Sequence, residues 1–257
     1  MSLISDEEKK SMVKEWFEDM EREVLVTLYT KNYEIVPAES PGTDISEAAV
    51  ARENCRKASN LLREMESLSR MIRAEEIDFG RDPERIIGLG ITSFPAFSVS
   101  LPGETPRVFY YGIPYGYQFH AFVKLLVWTS GRRIPIDVNA LANIAILNLP
   151  CPVKIFIVAS SEYSYGLAMA FYKFAIANAS VKVEVVDARN FTREATMAAE
   201  DIGRDFTQSL PLTVIGDFYL IGTFPEDELA VRCVRHVNRP VDVEINEGKG
   251  EESASEA

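Results

Sequence analysis

Apolar residues recur along the chain at two spacings, one typical of helices and one typical of strands. After Ser5 and the acidic residues 6–8, which favour a helix start, a helical stripe follows that consists of Met12, Val13, Trp16, Phe17 and Met20. We therefore predict an amphipathic helix here. The β-rich run 24–29 then predicts a strand, and a segment with no periodic pattern follows it.

The rest of the first half alternates between the same two patterns. A stripe at helical spacing runs from Cys55 to Ile72, and the following residues predict a strand that ends at Asp78. A broken helical turn comes next. Two β-rich runs, 92–99 and 107–111, then predict a hairpin, and apolar residues from Phe119 onward predict another helix.

The second half repeats this order of elements. The predicted elements are, in order, strand 153–158, a helix through Leu167 and Phe174, strand 181–186, helix 192–202, strands 210–215 and 218–221, and a helix through Leu229 and Val237. Both halves follow the order β-α-β-α-β-β-α, with a proline at the start of the third strand. An internal duplication explains this agreement.

The repeat predicts two α/β domains. We expect an N-terminal domain over 1–131, lengthened by an insertion near 37–50, and a C-terminal domain over 132–240 that begins with a linker helix at 137–147. The insertion could shield a site, although a tolerated surface loop explains it as well. The tail 241–257 carries six acidic residues and one lysine, which predicts a disordered acidic end.

Charge and composition exclude several classes of function. The chain has 27 Lys and Arg against 39 Asp and Glu, a net charge of −12 that disfavours nucleic acid and anionic membranes as partners. No apolar stretch is long enough to span a membrane, and the opening residues lack the pattern of a secretory signal, so we expect a cytoplasmic location. The presence of only two glutamines favours a thermophile-like composition.

The cysteines and histidines argue against metal chemistry. Cys55, Cys151 and Cys233 show no Cys-x-x-Cys spacing, and His120 and His236 lie far from any cysteine or carboxylate motif. We therefore expect no metal site and no cofactor.

The repeated unit resembles the thioredoxin fold. The opening helix, the segment 112–119 and the stretch 173–177 look like the archaeal glutaredoxin-like protein disulfide oxidoreductases, and the match covers nearly all of 3–237. The resemblance implies two tandem thioredoxin-like domains, each with a mixed central sheet. It also implies a cis proline in each domain, namely Pro95 after Phe94 and Pro211 after Leu210, facing a Cys-x-x-Cys motif at the start of a helix.

This chain departs from the family at those motifs. The second copy has Ser161-Glu162-Tyr163-Ser164 at the position of the motif. In the first copy, the best alignment places Cys55 at the position of the first cysteine and Ala58 at the position of the second, resolving cysteine. Disulfide exchange needs a thiolate and a second, resolving thiol, which serine cannot replace. The chain is therefore expected to be a redox-impaired homologue.

Each candidate residue has a structural alternative. Cys55 at a helix start beside basic residues favours a reactive thiolate, but it also falls on an apolar stripe, which favours burial. Ser161 and Ser164, with Glu162 between them, are explained better as helix-capping residues than as nucleophiles. Tyr163 and Tyr165 could contact an extended peptide or simply cover the core.

Two functional hypotheses remain. The first is a chaperone-like or adaptor protein that binds an extended polypeptide beside Pro95 and Pro211, with Phe94, Leu210 and residues 161–164 contributing to the surface. The alternative is a monothiol thiol-disulfide oxidoreductase that uses Cys55 with an external resolving thiol. An iron–sulfur role is less favoured, because the residues after Cys55 lack the Gly-Phe-Ser of monothiol glutaredoxins.

Overall fold

The computed structural model describes residues 7–32, 45–237 and 245–247. It divides into two units, one formed by Met1–Pro114 with Leu126–Arg132 and the other by Tyr115–Leu125 with Arg133–Ala257. The change from one unit to the other therefore falls within a helix as well as near residue 132. The sequence-based domains 1–131 and 132–240 remain a prediction about folding units.

The first repeat contains four helices and four strands in the described residues. The elements are α1 (Glu7–Glu18), β1 (Val24–Thr30), α2 (Ile45–Leu68), β2 (Ile72–Asp78), α3 (Pro83–Gly88), β3 (Ala96–Ser100), β4 (Val108–Tyr111) and α4 (Tyr117–Thr129), the last of which belongs to the second unit up to Leu125. The strand order is β2-β1-β3-β4. Strand β1 pairs parallel with β2 and antiparallel with β3, which gives the predicted mixed sheet.

The second unit repeats this arrangement. Its elements are α5 (Val138–Ala145), β5 (Cys151–Ile157), α6 (Glu162–Ala177), β6 (Val181–Asp187), α7 (Thr192–Glu200), a short 3-10 helix (Phe206–Gln208), β7 (Leu212–Ile215), β8 (Phe218–Ile221), α8 (Glu226–Val237) and β9 (Ile245–Glu247). The strand order is β6-β5-β7-β8-β9, with β5 parallel to β6 and antiparallel to β7. The predicted order β-α-β-α-β-β-α is confirmed in both units.

The core of each unit lies along its first strand. Strand β1 is buried at every position but one, and β5 pairs through its whole length with β6. Helix α2 packs on β1 and β2, and α6 packs on β5 and β6. Because the central strand is covered, β1 and the second half of β5 are buried almost without interruption, whereas the first half of β5 alternates.

Helix α2 differs from the prediction at its start. The sequence places 37–50 in a loop insertion, but α2 begins at Ile45, so the last residues of that range are helical. The reason is local propensity: residues 45–54 contain no glycine or proline and include several alanines and glutamates. The remainder of the predicted insertion falls within 33–44, outside the described residues.

The predicted linker helix is present as α5. Asp137 precedes it and accepts hydrogen bonds from the backbone N–H groups of Asn139 at 2.8 Å and Ala140 at 2.9 Å. A carboxylate in this position satisfies two of the N–H groups that a helix start leaves without partners.

The described part of the acidic tail differs from the disorder that its composition predicts. Residues Ile245–Glu247 form β9, which pairs parallel with β8. The rest of the tail lies outside the described residues.

The tight turn between β7 and β8 depends on a glycine. Gly216 has φ +59°, in the left-handed region, and a Cβ atom placed there would coincide with the imidazole ring of His236. Gly203 has a similar φ of +67° but nothing within 4 Å of the equivalent Cβ position. A substitution at Gly203 therefore changes stability only through the left-handed backbone, whereas one at Gly216 also adds contact with His236.

We expect Gly216→Ala to lower the free energy of unfolding by about 1–2 kcal/mol and Gly203→Ala by about 1 kcal/mol, because only the former also forces a neighbouring side chain, the His236 ring, to move. Urea titration measures both. Adding His236→Ala to Gly216→Ala should recover part of the loss. Equal losses in the two single variants would contradict the role of His236.

Candidate binding site at the two proline edges

Each unit carries a proline immediately before its third strand. The peptide bonds that precede Pro95 and Pro211 are cis. The carbonyl oxygen of Pro95 accepts a hydrogen bond from the N–H of Gly112 at 2.9 Å, and that of Pro211 accepts one from Gly222 at 2.8 Å. The two units therefore hold this proline in the same way.

Cys55 does not lie at a helix start, so that part of the prediction is wrong. It follows Ile45, the first residue of α2, by ten positions and is 7% exposed. The positive end of the helix dipole acts only within the first turn, so it does not favour a thiolate at Cys55.

The surroundings of Cys55 oppose ionisation. Burial raises the pKa of its thiol, and the nearby carboxylates of Asp78 and Glu76 raise it further. The backbone N–H of Lys31 donates to its Sγ atom and lowers the pKa, but this is a smaller effect than burial. The catalytic role of Cys55 stays a prediction, and an activated thiolate lacks the environment it needs.

The structure also corrects the alignment of the two motifs. In the second unit, the backbone N–H of Val158 donates to Ser164 Oγ at 3.3 Å. Lys31 and Val158 are each the first residue after the central strand of their unit, so Cys55 occupies the position of Ser164. The alignment of Cys55 with Ser161 is therefore wrong by one helical turn, and Arg52 is the residue equivalent to Ser161.

The helix ends support this correction. Leu68 ends α2 four residues before β2 begins, and Ala177 ends α6 four residues before β6 begins. Counted back from these ends, Cys55 again coincides with Ser164. The residues inserted between β1 and Cys55 hide this register from the sequence.

The serines of the second unit have different roles. Ser161 occupies the N-cap position of α6, yet its side chain makes no capping hydrogen bond, so the capping hypothesis is wrong for this hydroxyl. Ser164 is 1% exposed and joins the helix to the end of β5 through Val158. Glu162 is exposed in the first turn, where a negative charge interacts favourably with the helix dipole.

An aromatic cluster lies beside this helix start. The Tyr165 ring stacks on His120 with a centroid distance of 5.4 Å and an interplanar angle of 6°, and it contacts Tyr117 at 6.3 Å. Burial, followed by the charge of Lys124, lowers the pKa of His120, so its ring is neutral at pH 7. Sequence reasoning missed Tyr117 and His120 as neighbours of Tyr165, because their approach depends on how α4 and α6 pack.

Tyr163 points away from this packing. Its side chain is 45% exposed, whereas Tyr165 is half-buried. Tyr165 therefore covers the core of its unit, whereas the exposed ring of Tyr163 could contact a peptide.

In the second unit Pro211 is buried, but the residue before it is partly exposed, so we call this proline edge open. The pairing of β7 with β5 ends at the pair Leu212 and Phe156, and Leu210 lies two residues before that pair in the chain. Leu210 is half-buried, and its backbone makes no hydrogen bond within the described part of the chain. A backbone group at the end of a strand that lacks a partner is available to another strand.

The proline edge of the first unit is covered. Phe94 is 6% exposed and packs against Phe79 at a centroid distance of 5.6 Å, and the Lys31 ammonium lies 5.5 Å from the Phe79 ring centroid. The predicted binding residues Phe94 and Pro95 are thus both buried.

The other two cysteines are both fully buried in the second unit. A hydrogen bond with Cys151, followed by burial, raises the pKa of Cys233. Neither lies at a proline edge, so no edge in the described residues carries two thiols.

The described residues contain neither a cluster of metal ligands nor a helix able to cross a membrane. Among these residues, no group of three or more His, Cys, Asp or Glu side chains is arranged to hold a metal ion. None of the helices described combines the length and the apolar character that crossing a bilayer requires.

We expect Cys55 to resist alkylation by iodoacetamide in the native protein at pH 7–8.5, because burial keeps its thiol protonated. In urea, all three cysteines should react with a midpoint near the ordinary thiol pKa of about 8.5. Peptide mapping by mass spectrometry at several pH values measures each site, and Cys233 serves as the buried control. A native midpoint for Cys55 below 8 would contradict this account and favour the monothiol enzyme.

Comparison with known proteins shows what this arrangement is similar to. No protein-family model and no curated protein matches the chain. Among solved structures, the alkylhydroperoxide reductase component AhpF of Enterococcus faecalis matches with a TM-score of 0.72 and 18% identity, over 89% of this chain and 98% of that chain. A protein disulfide oxidoreductase from Aeropyrum pernix matches with a TM-score of 0.69 and 17% identity, over 91% and 93% of the two chains.

These similarities agree with the architecture of the two units. Each match extends over nearly the whole of both chains, so both repeats are included. Similarity at this level of identity establishes the fold. The chain has the tandem thioredoxin-like fold, as the resemblance implied.

Proposed function

We propose that this protein binds extended polypeptide segments at the open proline edge of its second unit and does not catalyse dithiol exchange. The observation that carries the proposal is the backbone of Leu210, which is half-buried and makes no hydrogen bond with the described residues. An extended peptide could pair with this backbone as an added strand, which is a recurrent mode of peptide recognition.

The side chains around Leu210 suit such a ligand. Tyr163 offers an exposed ring for apolar contact, and the Ser161 hydroxyl, which caps no backbone N–H, is available to a peptide group. Ser161 is the N-cap residue of α6 and Tyr163 lies in its first turn. Hydrogen bonds to the peptide main chain give affinity whatever the peptide sequence. The tyrosine ring adds apolar contact area that many different side chains can use.

The thiol content argues against the reaction of a disulfide oxidoreductase. Exchange proceeds through a mixed disulfide that a second thiol must resolve. The position equivalent to Cys55 in the second unit is Ser164, and the positions one turn earlier are Arg52 and Ser161. The chain therefore keeps the surface next to the proline but not the sulfur pair.

We expect fluorescence anisotropy to show binding of a labelled, reduced and carboxymethylated unfolded protein with a Kd on the order of micromolar. Leu210→Pro removes the N–H donor and should weaken binding at least about tenfold, whereas Leu210→Ala keeps the donor and should have little effect. Circular dichroism confirms that each variant is folded.

A second pair of variants tests the side-chain contact without touching the backbone. Tyr163→Ala should weaken binding about threefold to tenfold, and Met197→Ala, at a similarly exposed apolar position on α7, should not. Absence of binding by the unaltered protein, or equal losses in these two variants, would rule out this site.

A further inference from the structure

Helices α1 and α5 occupy equivalent places in the two units. Glu18 ends α1 and Ala145 ends α5, and each lies six residues before the first residue of the central strand. The helices can therefore be compared residue by residue. Neither helix belongs to a proline edge, so a role for their surfaces is independent of the proposed peptide binding.

The inner faces of the two helices agree. Both consist of three apolar residues that are buried; they are Val13, Phe17 and Met20 in the first unit and Ala140, Ile144 and Leu147 in the second. The match confirms the correspondence, because each pair occupies the same position relative to its central strand.

The outer faces are opposite in character. Five exposed positions on or just after α1 are polar or charged: Ser11, Lys14, Glu15, Glu18 and Asp19. The equivalent positions of α5 are also exposed but entirely apolar; they are Val138, Leu141, Ala142, Ala145 and Ile146, hereafter the α5 outer face. The exposed fractions of Val138, Leu141 and Ile146 are 78%, 41% and 65%. The pair Met12 and Asn139 reverses the pattern at one exposed position.

A helix with apolar residues on both faces normally has both faces buried. The inner face of α5 packs against α6 and α8. No part of the chain that the structure describes covers the α5 outer face, and Leu149, 53% exposed, extends it beyond the end of the helix. Continuous exposed apolar area of this kind marks an interaction surface.

We propose that the α5 outer face is the contact between two copies of this chain related by a two-fold axis. Such a contact brings one patch against itself, so the patch must be self-complementary. A charged face like that of α1 would set like charges against each other. The α5 outer face brings apolar groups together, and the exposed Asn139 and Asn148 flank it with amides that both donate and accept hydrogen bonds.

The charge of the chain favours the same occupant. With a net charge of −12, two copies repel each other over most approaches. The stretch 138–149 contains no charged residue, so contact there buries no charge. Helix α5 is about 12 Å long at about 1.5 Å per residue, so its outer face is smaller than the standard stable interface, which buries about 800 Å² per partner. We therefore expect a dimer that dissociates in the micromolar range.

Sedimentation velocity of the full chain between about 1 and 300 μM tests the proposal over the range that a micromolar dimer requires. We expect the mass to rise from that of one chain to that of two. Ala142→Glu and Ile146→Asp, which introduce the residues that occupy the equivalent positions in the first unit, should each raise the dimer Kd at least about tenfold. Both substitutions are at exposed sites, and circular dichroism checks that the fold is kept.

Ile87→Asp is the matched control, because Ile87 is 63% exposed on α3, outside the α5 outer face. It should leave the Kd unchanged. A wild-type chain that is monomeric at every concentration would overturn the proposal and assign the face to a different occupant. A dimer that persists in both the Ala142→Glu and Ile146→Asp variants would place the contact elsewhere and overturn it too.

Discussion

One backbone N–H in each unit, that of the residue directly after the central strand, positions the long helix on the sheet. In the second unit it belongs to Val158 and donates to Ser164 Oγ; in the first it belongs to Lys31 and donates to Cys55 Sγ. A backbone N–H that follows the last ladder pair of a strand needs another partner, and a small side chain with an acceptor atom supplies it from the adjacent helix. This requirement explains why a serine and a cysteine occupy one equivalent position.

The same constraint explains why Cys55 differs from a redox thiol. Its sulfur accepts from the backbone N–H of Lys31, directly after β1, and α2 extends about three turns upstream of Cys55. Burial disfavours the charged thiolate more than one hydrogen bond favours it. The residue therefore serves the contact between helix and strand, and the position that would face solvent one turn earlier is Arg52.

The two units share their buried structural features and differ in their exposed surfaces. The cis prolines and their glycine hydrogen bonds are the same in both, and so is the pairing of the central strand with its two neighbours. The first proline edge is covered by Phe79 and Phe94, whereas the second is open. Helix α1 presents mainly charges to solvent and α5 presents mainly apolar residues. Close packing restricts which residues are tolerated at buried positions, and it places no such restriction on exposed ones.

The sequence by itself determined the order of elements, the duplication and the positions of both prolines, because these depend on local periodicity and on the turn chemistry of Pro and Gly. It also determined that the chain has no Cys-x-x-Cys motif, since that is a matter of residue identity and spacing. The start of α2 at Ile45 could have been found from helix propensity, because residues 45–54 contain no residue that breaks a helix.

Only the tertiary structure decided which residues share a site. The equivalence of Cys55 with Ser164 depends on hydrogen bonds from the preceding strand, and residues inserted between two elements hide it from any count along the chain. Phe94 is less exposed than Leu210 because a neighbouring aromatic side chain covers it. The unpaired face of α5 is visible only once the other face is known to be buried. Periodicity shows that a residue is apolar, whereas exposure depends on contacts between residues far apart in the chain.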